Sequence, residues 1–307
     1  MITYLVKFIL DKKIPFDITL LKNDIDSLLN EINYSLSTYV KDSEINEFNS
    51  YVGDEGFLAS NMLSELIEKS IYYHGISNGD FDVTVGPIVR EWGFSTSYNF
   101  EMAPDSSIIV ELLNHIGTDK IYCEDNYIYK RDPLVEIDLN AIAKGWAVDK
   151  ISNYLNLHGL RNHLIEIGGE IFVSGKNIYG NEWEIGIRSP DISHIKGNKD
   201  IFHVMSLTDM AVATSGTYEN YFEYNDIIYS HIIDPINGFP VEQEIYSATV
   251  VSRECVAADA VATAVMVKGA VLGMEWIESL ENIEALFIVK DTSGAYMSLQ
   301  SQGFSDF

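Results

Sequence analysis

Positive charge is scarce in this sequence. Its 307 residues hold 20 Lys and Arg against 46 Asp and Glu, a formal net charge of −26. A chain this acidic is repelled by a phosphate backbone and by an anionic membrane surface, so nucleic acid is not an expected partner. An anionic ligand would need local help from a cation, a helix N-terminus or a metal. Cysteine is scarcer still. Cys123 and Cys255 are too few for a disulfide scaffold and lack metal-site spacing, so both read as core thiols. No run approaches the ~20 apolar residues needed to span a bilayer, and no signal peptide opens the chain. Internal repeats and low-complexity linkers are also missing.

What is there is core material: 47% of residues are hydrophobic and 12% aromatic. That suffices for a large core over residues 1–307, in one domain or two closely associated lobes. Residues 2–10 read as a strand. Ile18, Leu21, Ile25, Leu28, Leu29, Ile32 and Leu36 recur at helical spacing and predict an amphipathic helix, followed by a polar loop from Ser37 to Asn49. Helices are expected at 57–73, 105–115, 141–157 and 254–267, with another reaching Leu280. A hairpin turning at Asp125-Asn126 fits 121–130. Further strands fit 135–139, 162–167, 170–174, 183–188, 201–207, 210–213, 227–233, 246–252, 284–290 and 295–299. Hairpin-like runs with irregularly interspersed helices predict an α+β fold of mixed, mainly antiparallel sheets with packed helices.

Chemistry concentrates in a few segments. In SRECVAADAVATAVMVKG (252–269) the helix is apolar nearly all round, which predicts burial. Asp259 sits in its middle, where a carboxylate is costly unless paired or bound to a metal. Thr263 lies on the same face, so one hard cation such as magnesium could touch both. A buried Asp satisfied by backbone or Arg is the ordinary alternative. HIIDPINGFPVE (231–242) places His231 and Asp234 at a strand end beside turn signals, and His is the side chain best able to take a proton near neutral pH. An Asp-Pro turn with an exposed His reads equally well. IDLNAIAKGWAVDK (137–150) runs through a loop into a helix carrying Lys144, which could meet a phosphate or be a surface Lys. FDVTVGPIVREWGF (81–94) and AVATSGTYENYF (211–222) gather small residues, hydroxyls and aromatics, suited to a flat ring or to core packing.

Taken in order, LSTYVKDSEINEFN, FDVTVGPIVREWGF, IDLNAIAKGWAVD, HLIEIGGEIFVSG, VATSGTYENYF with SHIIDPINGFPV, and AADAVATAVMVKG resemble the FAD:protein FMN transferase (ApbE-like) family over almost the whole chain. The resemblance implies an FAD cleft between two lobes, with magnesium at the pyrophosphate. It implies metal contacts from Asp259, Thr263 and the Ala141 main-chain oxygen. It places Lys144 and the segments of Ser37, Thr38, Tyr39, Phe81, Asp82, His231 and Ile233 against the cofactor. His231 becomes the candidate proton acceptor, with Asp234 beside it as a second catalytic candidate. Asn237 stands where Thr is usual, Glu170 where Asp is common, and the usual Met-Gly-Thr stretch is not seen before the first strand.

The implied reaction transfers FMN from FAD to a Thr or Ser hydroxyl of a target protein, such as a membrane redox-complex subunit or another flavoprotein. AMP is released. The alternatives are a metal-dependent FAD pyrophosphatase and a non-catalytic flavin-binding protein. The resemblance further implies work outside the cytoplasm, anchored to a membrane through a leader lying outside this chain, or in the cytoplasm if Met1 is the native start.

Overall fold

The computed structural model describes residues 3–10, 17–94, 103–190, 201–218, 220–224, 227–242 and 244–307. In chain order the elements begin with β1 (Tyr4–Phe8), α1 (Ile18–Leu36), α2 (Glu44–Ser50), β2 (Phe57–Leu58), α3 (Asn61–Ser77), α4 (Gly86–Glu91) and α5 (Ser106–Leu113). There follow β3 (Ile121–Glu124), β4 (Tyr127–Lys130), α6 (Ala143–Leu157), β5 (His163–Ile167), β6 (Glu170–Ser174), β7 (Trp183–Arg188) and β8 (Ile201–Leu207). The chain closes with β9 (Met210–Gly216), β10 (Tyr221–Tyr224), β11 (Ile227–Ser230), β12 (Ile245–Ser252), α7 (Cys255–Lys268), α8 (Ala270–Ser279), β13 (Glu284–Lys290) and β14 (Tyr296–Gln300). The architecture is α+β, as the hairpin runs predicted.

Seven strands form one sheet in the order β1-β5-β6-β9-β12-β13-β14, every neighbouring pair antiparallel. Its two faces are both covered at the central strands, and successive residues alternate between them. Ala211, Ala213, Ala248, Val250, Ala285 and Phe287 turn toward the layer holding α6 and α7. Val212, Val251, Leu286 and Ile288 turn toward the β7–β8 hairpin, packing with Ile185, Ile187, Met205 and Leu207. The alanines on the helical side let α7 lie close to the sheet, and α7 is itself apolar on all sides and buried. Its N-terminus is capped from a distance. Asp149 on α6 accepts the Cys255 N–H at 2.8 Å and the Val256 N–H at 2.9 Å, covering two donors that the helix cannot satisfy. Among the described residues no helix is long and apolar enough to cross a membrane.

Several boundaries differ from the sequence reading. The helix expected at 57–73 begins at Asn61, because Ser60 Oγ caps it through the Leu63 N–H and Phe57-Leu58 pair with β4 instead. Residues 135–139 join no ladder. Asn49 clamps Ile137 at both its N–H and its carbonyl, and the Asp138 N–H donates to the Val83 carbonyl at 2.7 Å, so isolated side-chain and backbone bonds replace a strand neighbour. The loop from Ser37 to Asn49 contains α2, and α4 and β10 were not foreseen. The strand expected at 227–233 stops at Ser230, while β9 runs on to Gly216. Of the strand expected at 2–10, Ile2 lies outside the described residues.

Candidate active site

A cleft of about 2430 Å³ opens beside α6 and α7. That exceeds the ~300–1,000 Å³ of an ordinary small-ligand pocket. Every site residue singled out in the sequence lines it except Asp234: Ser37, Thr38 and Tyr39 after α1, Phe81 and Asp82 before α4, Ala141 and Lys144 at the start of α6, His231 and Ile233 after β11, and Asp259 and Thr263 on α7. Asp259 and Lys144 therefore meet in one cleft, although 115 positions separate them (259 − 144).

The junction of α6 and α7 is built around Gly145. A Cβ there would stand 2.8 Å from the Asp259 Cβ and closer still to the Cys255 carbonyl, so only glycine lets the helices meet at this point. The Gly145 N–H donates to Asp259 Oδ2 at 2.9 Å. In a regular helix that N–H would return to the Ala141 carbonyl four residues back. Among the described residues no hydrogen bond reaches the Ala141 carbonyl. One substitution of partner thus holds Asp259 and leaves a carbonyl acceptor available. Thr263, one turn beyond Asp259, lies 3.3 Å from Ser215 Oγ on β9. A carboxylate, a hydroxyl and a carbonyl form an all-oxygen set of the kind a hard cation takes. No cluster of three or more His, Cys, Asp or Glu is placed to hold a metal among the described residues.

The cleft wall beside α7 adds Glu170, which opens β6 after the Gly168-Gly169 turn. Its Oε1 pairs with Lys144 Nζ at 2.5 Å. Burial, then the neighbouring Asp259, pushes the Glu170 carboxyl up to about 8 against the pull of Lys144. Burial also raises Asp259, opposed by Lys144 and the Gly145 N–H. Asp138, a half-buried wall residue, has its carboxyl raised by desolvation and is held in place by the Asn140 N–H at 2.9 Å.

His231 lies on the cleft rim with its ring edge-on to Phe94, centroids 6.3 Å apart. Its Nδ1 is 3.0 Å from the Asn220 carbonyl oxygen. A carbonyl can only accept, so Nδ1 carries the proton, and in the neutral ring Nε2 is the basic nitrogen. Asp234 is placed differently. Its Oδ1 accepts the Ile236 N–H at 2.8 Å and its Oδ2 the Asn237 amide at 2.6 Å, so the carboxylate shapes the turn. The Asp82 carboxylate is likewise engaged inside the protein. Burial opposes its ionisation, but His74 and Thr84 outweigh that and hold it below the usual range, and Thr118 adds two hydrogen bonds. Asp82 meets the cleft through its position in the loop, with its carboxylate committed elsewhere.

A model of the ApbE family matches residues 2–287. The chain belongs to that family. A relative of Vibrio cholerae named FAD:protein FMN transferase is 37% identical over 305 residues, covering 99% of this chain and 89% of the relative. One of Haemophilus influenzae with the same name is 33% identical over 307 residues, covering 98% and 87%. Among solved structures, the Flavin Transferase ApbE from Vibrio cholerae superposes with a TM-score of 0.88 at 35% identity, over 99% of this chain and 95% of that one. The ApbE protein of Thermotoga maritima gives 0.84 at 26% identity, over 100% and 99%. For this ApbE-family chain, sequence reasoning passed over Asp138 and Glu170 as site residues. Both stood inside quoted motifs. Nothing local in the sequence distinguishes a wall carboxylate from a surface one.

Proposed function

We propose that this chain is a magnesium-dependent FAD:protein FMN transferase that links FMN through a phosphoester to a Thr or Ser hydroxyl of a target protein. The observation that carries this reading is the Gly145 N–H. By bonding Asp259 instead of the Ala141 carbonyl, it leaves a carboxylate and an unengaged carbonyl in the cleft that Thr263 also lines, an oxygen set suited to magnesium. When bound there, the ion supplies charge neutralisation on the pyrophosphate.

The chain's own residues supply the rest. Lys144 brings positive charge to a phosphate oxygen, with Glu170 fixing its direction. Ser37–Tyr39 and Phe81-Asp82 border the length of the donor. The acceptor hydroxyl approaches the FMN phosphorus near His231, and Nε2 takes its proton as the new O–P bond forms. The P–O bond to the AMP phosphate breaks, and AMP leaves with the electron pair. Phosphoryl transfer depends mainly on positioning and charge neutralisation, so this sparse set of side chains is enough. Asp234 supports His231 by shaping the turn that follows it.

The test is mass spectrometry of a candidate acceptor protein after incubation with this chain, FAD and magnesium, alongside an acceptor-free control. A mass gain equal to phosphoester-linked FMN, lost with Asp259→Asn, supports transfer. AMP release that is equally fast without acceptor would mean FAD hydrolysis instead.

A further inference from the structure

The same corner of the cleft holds a buried carboxylate oxygen with no partner. Glu170 is fixed by the Gly168-Gly169 turn, whose two residues sit at φ 64° and 108°, a backbone path that favours glycine. Its side chain is 2% exposed. Oε1 is bound by Lys144, while Oε2 has no hydrogen-bond partner among the described residues. A buried acceptor left unmade is costly, so native proteins rarely leave one without reason. The charge count points the same way. Asp259 and Glu170 are two buried carboxylates beside Lys144, and the Gly145 N–H is already spent on Asp259. One ammonium for two carboxylates leaves the corner short of positive charge and Oε2 short of a donor, and the side from which either can come is the cleft, which Glu170 lines.

We propose that Glu170 is a positioning residue for the divalent cation: Oε1 holds the Lys144 ammonium, and Oε2 accepts a hydrogen bond from a water of the ion's hydration shell. This rests on the magnesium reading above. Magnesium sheds its waters reluctantly and usually keeps several, and carboxylates that receive such waters orient the ion without touching it. Asp259 and Thr263 cannot serve that water and the ion from the same atoms, whereas Oε2 faces no competing partner. The Lys144 contact gives Glu170 a second task. It ties the position of the phosphate-binding ammonium to the occupancy of the metal site.

Mn²⁺ serves as the probe, followed by electron paramagnetic resonance of the free ion, in FAD-free protein with AMP present to supply phosphate oxygens. Glu170→Gln keeps the shape and removes the charge. It is expected to weaken Mn²⁺ binding by about 10–100-fold. Without metal its Tm should equal or exceed that of the parent, because one of two crowded carboxylates is gone. The rise in Tm on adding Mg²⁺ should shrink. Glu170→Asp, which keeps the charge, should bind Mn²⁺ better than Glu170→Gln. Parental Mn²⁺ affinity in Glu170→Gln overturns the inference. So does weakened AMP binding in EDTA with Mn²⁺ affinity unchanged, since Oε2 would then serve the nucleotide. Asp259→Asn separates the two levels. If it too binds Mn²⁺ normally, the magnesium reading itself fails; if it loses the ion while Glu170→Gln does not, only the role of Glu170 fails.

Discussion

Gly145→Ala tests whether the contact between α6 and α7 builds the site. In an ordinary helix interior this change stabilises by roughly 0.5–1 kcal/mol, because alanine loses less backbone freedom on folding. Here the new methyl would stand 2.8 Å from the Asp259 Cβ and nearer still to the Cys255 carbonyl, which is backbone and cannot swing aside. Overpacking of this kind costs about 1–3 kcal/mol, and a backbone obstacle puts it at the upper end. The net loss is then about 2 kcal/mol. For a chain of 307 residues the shift is about 1.6 °C per kcal/mol, so Tm should fall by roughly 3 °C. Separating the helices also lengthens the bond from the Gly145 N–H to Asp259, so transfer should fall by more than the stability loss explains. The control is Gly273→Ala on α8. Its Cβ would meet Val265 at 3.4 Å, an ordinary contact, so that variant should be neutral or slightly stabilised. Differential scanning calorimetry and initial rates on both variants decide the matter. A Gly145→Ala protein with parental Tm and rate would refute the argument, because the helices would then have room to part without disturbing Asp259.

His231→Asn keeps a hydrogen-bond donor but cannot take up a proton near neutral pH; kcat should fall by roughly 10²–10⁴-fold with FAD affinity held, and a loss of affinity at unchanged kcat would retire the base assignment. Asp149 gives a pH signature. Burial raises its carboxyl from 3.8 to about 7 against the Val256 and Cys255 N–H groups. The folded chain thus holds a proton there that the unfolded chain releases above about 4. Its contribution to stability is full below that pH, declines as pH rises, and levels off above about 7. Thermal melts from pH 4 to 8 should show a steeper decline for the parent than for Asp149→Asn, and parallel slopes would contradict this.

Much of the site was legible because its residues obey local rules. A helix apolar on every side must be buried, so the one carboxylate inside it, Asp259, announced itself, and helical spacing put Thr263 on the same face. The central strands β12 and β13 were legible as short apolar runs, buried on both faces. What was lost depended on partners far along the chain. Glu170 meets Lys144 across 26 positions only because β6 and the start of α6 face the same cleft. Residues 135–139 carry a strand-like pattern, yet what meets them is the Asn49 side chain and one backbone carbonyl, Val83, not a strand. Asp82 sits in a segment that borders the cleft, but Thr84 and Thr118 claim its carboxylate. The insertion of β7 and β8 between β6 and β9 was equally hidden, since strand order follows from which hairpin leaves the sheet.

The acidity of the whole chain reappears inside the cleft and gives a last expectation. Among the described residues its lining carries four cations, Lys22, Lys41, Arg90 and Lys144, against seven acidic side chains, Asp26, Asp80, Asp82, Glu136, Asp138, Glu170 and Asp259. Lys22, Arg90 and Lys144 are each already paired with an acid. A pyrophosphate entering without a divalent ion therefore meets repulsion. Two like unit charges about 10 Å apart in water repel by about 0.4 kcal/mol, a factor of roughly two in affinity per pair. Salt relieves it, since the Debye length drops from ~30 Å at 0.01 M to ~8 Å at 0.15 M. FAD affinity measured in EDTA should accordingly rise by at least about twofold over that range. A phosphate site built from free lysines and arginines behaves in the opposite way, losing affinity as salt is added. Isothermal titration at both ionic strengths gives the sign directly. An affinity that falls with salt in EDTA would mean that positive charge dominates where the phosphates sit, and the need for a metal in this cleft would lose its electrostatic basis.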